Sequence, residues 1–361
     1  MSDRKEYFSS LDGFRFISII FVLLHHIAVC FPAWSAPNTL IVSIFYRICE
    51  LGFLGVDFFF VISGFLIAGL LAEDLGGKIR VKRFYLRRAF KIFPQYVVVV
   101  LVGIVITLLS KDSYSPISYI SYFAMFQNYT VPIGILAHLW SIAVEEHFYL
   151  VLPVIFWIAS CLSKEVRMQK KLLVICFIVL IVVGNWIRYI NFQGLGPEDV
   201  NIPKHWQYTH LRFDGLLFGC LLRFIFPFFT RTQKMMLLGR SVLFLLGVFI
   251  FVFLFDVFVK IRWWDYTLAY MASGFLIMSG ALGFRPLCFI LENKWIKFLG
   301  QCSYGIYLWH YLLIFFFIDL YMRSGFKWLI GLYVITACLA GIASTKIIED
   351  IFLKLRRRIV P

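Results

Sequence analysis

Charge is what this sequence has least of: of its 361 residues, only 15% are Asp, Glu, Lys or Arg, while 61% are hydrophobic. Soluble domains typically carry about 25% charged and about 45–50% apolar residues, so the composition excludes an ordinary soluble protein. Aromatic residues make up 19%, as expected of a surface that faces lipid and the lipid–water interface. The sequence predicts a polytopic membrane protein.

Paired cysteines are also lacking. The eight Cys form no C-x-x-C pair and mostly lie in apolar segments, so we expect small buried side chains and neither a disulfide framework nor a metal site. The net charge of +15 would suit nucleic acid, but Lys and Arg fall in short clusters between apolar runs, as in cytoplasmic loops. We therefore expect contacts with membrane lipids and no nucleic-acid partner.

Apolar runs of about 20 residues, the length that crosses a bilayer as a helix, recur along the chain. Residues 113–132 are aromatic but interrupted by prolines, which indicates an interfacial or re-entrant segment. Because no soluble domain fits around the runs, we expect one membrane-embedded domain over residues 1–361. The predicted fold class is an all-α integral membrane bundle of about ten helices: 13–33, 48–72, 92–110, 135–160, 172–190, 211–229, 241–258, 265–284, 298–319 and 328–349.

The distribution of Lys and Arg predicts the orientation of the bundle. If the N-terminus is cytoplasmic, most of the 35 basic residues lie in inner loops, as the positive-inside rule requires. We therefore predict that both termini are cytoplasmic. In this arrangement Arg188 and Arg212 belong to the outer side.

The first predicted helix contains LDGFRFISIIFVLLHHIAVC, residues 11–30, with ionisable groups inside an apolar run. At about 100° per residue, His26 falls within about 20° of the direction of Arg15, whereas His25 falls about 80° away. Ionisable side chains in hydrocarbon usually face a bundle interior and mark a functional path. We predict that Arg15 and His26 act together and that His25 matters less. The alternative is a histidine that only hydrogen-bonds a neighbouring helix.

The segment LWSIAVEEHFYLVLP, residues 139–153, places two adjacent glutamates in an apolar helix. Both cannot face lipid, so at least one should point inward. We predict that Glu145 lies at the depth of His26 and orients its imidazole; Glu146 is the other choice. An ion pair that only joins two helices is the alternative.

A basic cluster occupies RVKRFYLRRAFKIFP, residues 80–94. Its Arg83, Arg87, Arg88 and Lys91 are spaced to form a cationic helical face at the membrane boundary. Such a face suits a phosphate-rich ligand such as coenzyme A, or anionic lipids. Positive-inside anchoring is the alternative.

Two weaker polar groups lie further along the chain. Ser303, Tyr307 and His310 form a stripe in 299–310, and Arg212 and Asp214 lie in 210–219. Either group could line a cavity or join helices.

Taken in order, these segments resemble the acyltransferase-3 family of bacterial integral-membrane carbohydrate O-acyltransferases. The resemblance implies functional roles for Arg15 and His26, a helix glutamate at Glu145, and a basic motif at Arg83, Arg87, Arg88 and Lys91. Lys91 stands where arginine is usual, and His147 where glutamine is common. With no SGNH-type esterase domain following, a stand-alone form is implied. The matching segments are LDGFR…H (11–26), GVDFFFVISGFLI (55–67), RFYLRRAFKIFP (83–94), WSIAVEEHFYL (140–150) and LGQCSYGIYLWH (299–310).

The resemblance further implies an O-acetyltransferase of the bacterial inner membrane. Acetyl-CoA would be the cytoplasmic donor, and the acceptor a hydroxyl of a cell-envelope or exported carbohydrate, such as lipopolysaccharide O-antigen or exopolysaccharide, reached from the outer side. His26 would be general base or transient acyl carrier, without a metal. We expect acceptor contacts from 191–210. The alternatives are a transporter or flippase for an envelope glycan or lipid-linked sugar, and a structural or lipid-sensing protein.

Overall fold

The computed structural model of the protein describes residues 7–31, 40–193, 207–257 and 262–359, and within these ranges it contains no β-strand. Apolar composition in long runs favours helices, since only an intrahelical ladder satisfies every backbone group within one lipid-exposed segment. In chain order the main helices are α1 (Ser9–Cys30), α2 (Leu40–Glu50), α3 (Leu54–Ala72), α4 (Val81–Leu109), α5 (Pro116–Phe123), α6 (Trp140–Leu162), α7 (Val166–Gln193), α8 (Asp214–Phe229), α9 (Gln233–Val257), α10 (Asp265–Ala281), α11 (Arg285–Leu291), α12 (Lys294–Gln301), α13 (Ser303–Ser324), α14 (Trp328–Ser344) and α15 (Asp350–Ile359).

Eight helical segments in the described ranges are long and apolar enough to cross a membrane. A ninth is present if α10 and α11, which meet at a bend of 90°, count as one span. The predicted fold class, an all-α multi-pass membrane bundle, is therefore confirmed. The eight segments are Ser9–Cys30, Ile44–Ala72, Val81–Leu109, Gly134–Leu162, Val166–Gln193, Gln233–Leu254, Ser303–Ser324 and Trp328–Ile359.

Apart from shifts at helix ends, such as the start of α4 at Val81 and not at residue 92, the predicted spans differ from the structure in three places. The prediction at 211–229 corresponds to α8, which has only 16 residues and follows a separate turn at Thr209–Arg212. The prediction at 265–284 ends at the bend before α11. The prediction at 298–319 joined two elements, because the polar helix α12 precedes the apolar α13. The cytoplasmic location of both termini stays a prediction.

The helix α3 lies at the centre of the bundle. In the span Ile44–Ala72, 72% of the apolar window is buried, against 22% in the spans formed by α7 and α9. Glycines allow this close packing: a methyl group on Gly64 would overlap the Leu216 carbonyl oxygen of α8, and one on Gly219 would overlap the Val61 carbonyl oxygen of α3. Small residues at helix crossings are typical of membrane bundles. The two reciprocal contacts hold α8 against the central helix.

Two arginines predicted to lie on the outer side are buried inside the bundle. Arg188 is 1% exposed, forms an ion pair with Asp214 and donates to the Leu211 carbonyl oxygen. Arg212 is 3% exposed and donates to Asp57 Oδ1 at 2.8 Å. Because each guanidinium has a buried carboxylate, neither needs water. The structure thus shows that both side chains are paired inside the bundle, and their predicted location on the outer side stays a prediction.

Replacing Gly219 by Ala should destabilise the bundle, because the added methyl group would force α3 and α8 apart. Overpacking of this kind costs about 1–3 kcal/mol, which thermal unfolding of the protein in detergent can measure. Gly331→Ala is the matched control, since nothing lies within 4 Å of a methyl group at that position. A Gly219→Ala transition as high as that of the control would contradict this packing account.

Candidate functional site

Two cavities lie end to end inside the bundle. The first, which we call the histidine cavity, has a volume of about 230 Å³. The second, the arginine cavity, has a volume of about 100 Å³. The histidine cavity is lined by His25, His26, His138, Arg212 and Tyr311, among others. The arginine cavity is lined by Arg15, Arg88, Lys91, Ser63, Glu145 and Tyr149, among others.

Val56 and Tyr307 line both cavities and therefore lie between them. The Tyr307 hydroxyl donates to the His138 carbonyl oxygen at 2.5 Å and lies 2.6 Å from Ser141 Oγ. Since a carbonyl can only accept, the Ser141 hydroxyl donates to the Tyr307 oxygen. Both hydrogen bonds hold the phenol ring in place between the two cavities.

The ring of His26 is held so that one nitrogen is available as a base. His310 Nδ1 lies 2.6 Å from the Tyr307 carbonyl oxygen, so this nitrogen carries hydrogen and His310 Nε2 has the lone pair. That Nε2 lies 3.2 Å from His26 Nδ1, which is also 2.9 Å from the Val22 carbonyl oxygen. Both partners accept, so His26 Nδ1 carries the hydrogen. The lone pair of the neutral His26 imidazole is therefore on Nε2.

Glu145 does not take part in this arrangement. Its carboxylate accepts hydrogen bonds from Ser63 Oγ at 3.2 Å and from the Tyr149 hydroxyl at 3.0 Å, in the arginine cavity. The helix α6 starts beside the histidine cavity at Trp140, and five residues of helix carry Glu145 about 7.5 Å further along its axis. The prediction that Glu145 orients His26 is wrong, because His310 occupies that position.

The three basic residues of the arginine cavity differ in whether a carboxylate neutralises their charge. Arg15 Nη1 donates to Asp12 Oδ1 at 3.1 Å. Lys91 Nζ lies 2.8 Å from Glu349 Oε1. Arg88 forms no ion pair with any described residue, and its guanidinium lies over the Tyr149 ring, 5.4 Å from the centroid. Arg88 is thus the cation best placed to receive an anionic ligand.

The predicted basic cluster is divided between two faces of α4. Arg88 and Lys91, three residues apart, line the arginine cavity, whereas Arg83 and Arg87, four residues apart, are not among its lining residues. At about 100° per residue the four side chains span about 140° of the helix, with Arg83 at one edge and Arg88 at the other, so only one side of this arc faces the cavity. The sequence predicted the cationic helix but could not show which of its members reach the interior.

Two further histidines lie at the site: His25, for which we predicted a lesser role, and His138, which the sequence patterns did not single out. His25 lines the same cavity as His26, with Nδ1 3.0 Å from the Glu50 carbonyl oxygen, although the helical wheel directed it elsewhere. His138 lies in a 3-10 turn, Gly134–Leu139, just before α6. Its position beside the WSIAVEE segment was the available signal. Most of the segment 191–210 falls outside the described residues; Gln207 lines the histidine cavity.

Known proteins provide an independent comparison. A peptidoglycan O-acetyltransferase, OatA, of Listeria monocytogenes is 28% identical over 340 residues, covering 86% of this chain and 50% of its own length. An O-acetyltransferase OatA of Staphylococcus aureus is 28% identical over 348 residues, covering 88% and 52%. The chain thus spans about half the length of the curated relatives it matches. No solved structure matches it.

The acyltransferase-3 family model, described as an acyltransferase domain, matches residues 8–347. This range contains every helix that lines the two cavities. It begins just before α1, which carries Arg15 and His26, and it ends after α14. The protein therefore belongs to the acyltransferase-3 family.

Proposed function

We propose that the protein is an O-acetyltransferase that moves an acetyl group from acetyl-CoA to a hydroxyl of a cell-envelope or exported carbohydrate. The observation that carries this proposal is the pair of cavities that meet at Tyr307. One cavity contains Arg88, which forms no ion pair with any described residue, and the other contains an imidazole with a lone pair on Nε2. An acyl donor with phosphate groups and a neutral hydroxyl acceptor need such different environments.

The arginine cavity is our proposed binding site for the donor. Arg88 is the residue that would pair with a phosphate, with Arg15 and Lys91 beside it, and phosphate–guanidinium pairs are strong and directional. The positive-inside bias supports a cytoplasmic location for the first turns of α4, on the side of the membrane where acetyl-CoA is present. On this account the protein lies in the bacterial inner membrane and the histidine cavity opens toward the outer side.

His26 is our proposed catalytic residue. As general base, its Nε2 takes the proton of the acceptor hydroxyl, the hydroxyl oxygen attacks the acetyl carbonyl carbon, the carbon–sulfur bond breaks, and the thiolate receives a proton. As acyl carrier, Nε2 attacks the carbonyl carbon and the carbon–sulfur bond breaks, so that the thiolate leaves and receives a proton; the acceptor hydroxyl oxygen then attacks the same carbon, the carbon–nitrogen bond breaks, and the hydroxyl proton passes to Nε2. Both routes need the His26 lone pair on Nε2. Acetyl-enzyme trapped on His26 before acceptor is added would select the second route.

Replacing His26 by Asn should reduce acetyl transfer by a factor of about 10²–10⁴, the contribution of a positioned acid–base group. The Asn side-chain amide keeps a donor near the position of Nδ1, toward the Val22 carbonyl oxygen, but has no group at the position of Nε2. Acetyl esters in envelope glycans report the loss in cells, and acetyl transfer by the purified protein reports it in vitro.

The control for this substitution is His147→Asn on α6. His147 Nδ1 lies 2.6 Å from Thr209 Oγ1, and the residue lines neither described cavity. Both variants must accumulate in the membrane at the level of the unchanged protein. Normal acetylation with the His26 variant would refute the assigned site, and glycan transport without acetyl transfer would favour the flippase.

Replacing Arg88 by Ala should raise the KM for acetyl-CoA by about tenfold or more, since a charge-assisted hydrogen bond contributes about 1.5–3 kcal/mol. The KM for the acceptor should change little. Arg83→Ala removes an equal charge from the same helix but outside the cavity lining, and we expect a smaller effect on donor KM. Equal losses in donor and acceptor KM for the Arg88 variant would count against a donor site there.

A further inference from the structure

Each of the four described imidazoles around the histidine cavity has one nitrogen on a backbone carbonyl. In addition to His26 and His310, His25 Nδ1 lies 3.0 Å from the Glu50 carbonyl oxygen, and His138 Nε2 lies 3.2 Å from the Leu308 carbonyl oxygen. A carbonyl oxygen can only accept, so these nitrogens carry the hydrogens. In the neutral rings, His25 Nε2 and His138 Nδ1 are then left with the lone pairs.

The lone pair of His138 is buried and unused. The residue is 4% exposed, and its Nδ1 has no hydrogen-bond partner among the described residues. An unsatisfied buried acceptor costs about 1–3 kcal/mol, so native proteins rarely retain one without a reason. His138 lines the histidine cavity together with His25 and His26, but Nδ1 itself has almost no accessible surface, so a ligand in the cavity would supply the missing donor after a shift of the side chain toward it.

The remaining lining indicates what kind of ligand this is. Phe53, Trp140 and Tyr266 contribute aromatic rings, and among the described residues the one charged lining residue, Arg212, is already paired with Asp57. The described part of the lining therefore offers apolar ring faces and hydrogen-bond acceptors but no unpaired charge. Its volume of about 230 Å³ is below the ~300–1,000 Å³ of sites for drug-sized ligands. One small neutral unit with several donor groups fits this description.

We propose that His25 Nε2 and His138 Nδ1 recognise the acceptor by accepting hydrogen bonds from two donor groups of a single neutral sugar unit. The donors are hydroxyls or the N–H of an N-acetyl group, and a further hydroxyl of the same unit meets His26 Nε2. This assignment rests on the proposed function, and it makes His25 and His138 determinants of specificity. Monohydric alcohols and anionic sugars are poor acceptors on this account.

Two substitutions remove only the nitrogen atoms proposed to accept hydrogen bonds from the sugar. In His25→Asn, the amide nitrogen replaces Nδ1 as donor to the Glu50 carbonyl oxygen, and nothing replaces Nε2. In His138→Gln, the longer amide replaces Nε2 as donor to the Leu308 carbonyl oxygen, and nothing replaces Nδ1. His147→Asn serves as the matched control outside the cavity.

The measurement is steady-state acetyl transfer by the purified protein, with acetyl-CoA as donor and methyl pyranosides of glucose, N-acetylglucosamine, galactose and rhamnose as test acceptors. For the most active acceptor, we expect each variant to raise the acceptor KM about 5- to 10-fold, the effect of one lost hydrogen bond. The KM for acetyl-CoA and kcat should stay within about threefold. A deoxy analogue of the sugar, lacking the hydroxyl that donates to the substituted histidine, should be a poorer acceptor than the sugar itself for the unchanged protein. For the variant, the sugar and its deoxy analogue should be acetylated at similar rates.

The possible failures are distinguishable. If the unchanged protein acetylates none of these sugars while binding acetyl-CoA, the proposed function itself is contradicted, and the sugar subsite with it. If it acetylates a sugar but both variants keep the acceptor KM of the His147 control, the subsite alone is wrong. A raised KM for acetyl-CoA instead would show that the two nitrogens hold the amide groups of the donor, which also overturns the assignment.

Discussion

The hydrogen bond from His310 to the backbone carbonyl of Tyr307 is the interaction on which the site depends. It places hydrogen on His310 Nδ1, which leaves Nε2 to accept from His26, which in turn leaves the lone pair of His26 on Nε2. A carboxylate in the place of His310 would also orient the ring, but it would introduce a charge into the interior of the membrane. A neutral imidazole anchored on a carbonyl achieves the same orientation without that cost.

The cost of an unpaired charge in the membrane interior also explains how charged residues are distributed in the bundle. In the half that contains the histidine cavity, Arg188 and Arg212 each have a buried carboxylate, Asp214 and Asp57 respectively. In the arginine cavity, Arg88 has aromatic neighbours and no ion pair among the described residues. A cation left without a counterion in such a place is costly unless a ligand or water compensates it. Arg88, without an ion pair among the described residues, thus makes the arginine cavity the better place for the proposed anionic donor, whereas the arginines near the histidine cavity already have counterions.

Sequence periodicity predicted the features that depend on one helix. Arg15 and His26 lie on α1, and their common direction follows from the geometry of a single helix. His310 is 284 residues from His26 in sequence, so no local pattern could pair them, and it appeared only as part of a weak polar stripe. Glu145 was assigned to the wrong partner for the same reason: its depth relative to α1 depends on where the 3-10 turn before α6 ends. Whether His25 also lines the cavity depends on how the segment before α3 packs against α1, which no pattern within α1 could show.

In the proposed transferase, the position of Tyr307 allows the donor side and the acceptor side to be separated without losing the orientation of the proposed base. Its side chain lies between the cavities, held by the His138 carbonyl oxygen and Ser141, while its backbone carbonyl anchors His310. Rotation about the bond between Cα and Cβ moves the phenol but not the carbonyl. An acetyl group could therefore pass between the cavities at the expense of two hydrogen bonds, while His26 kept its lone pair on Nε2. In the proposed transferase, the side chain of Tyr307 thus separates the two cavities, while its backbone carbonyl fixes the orientation of the base.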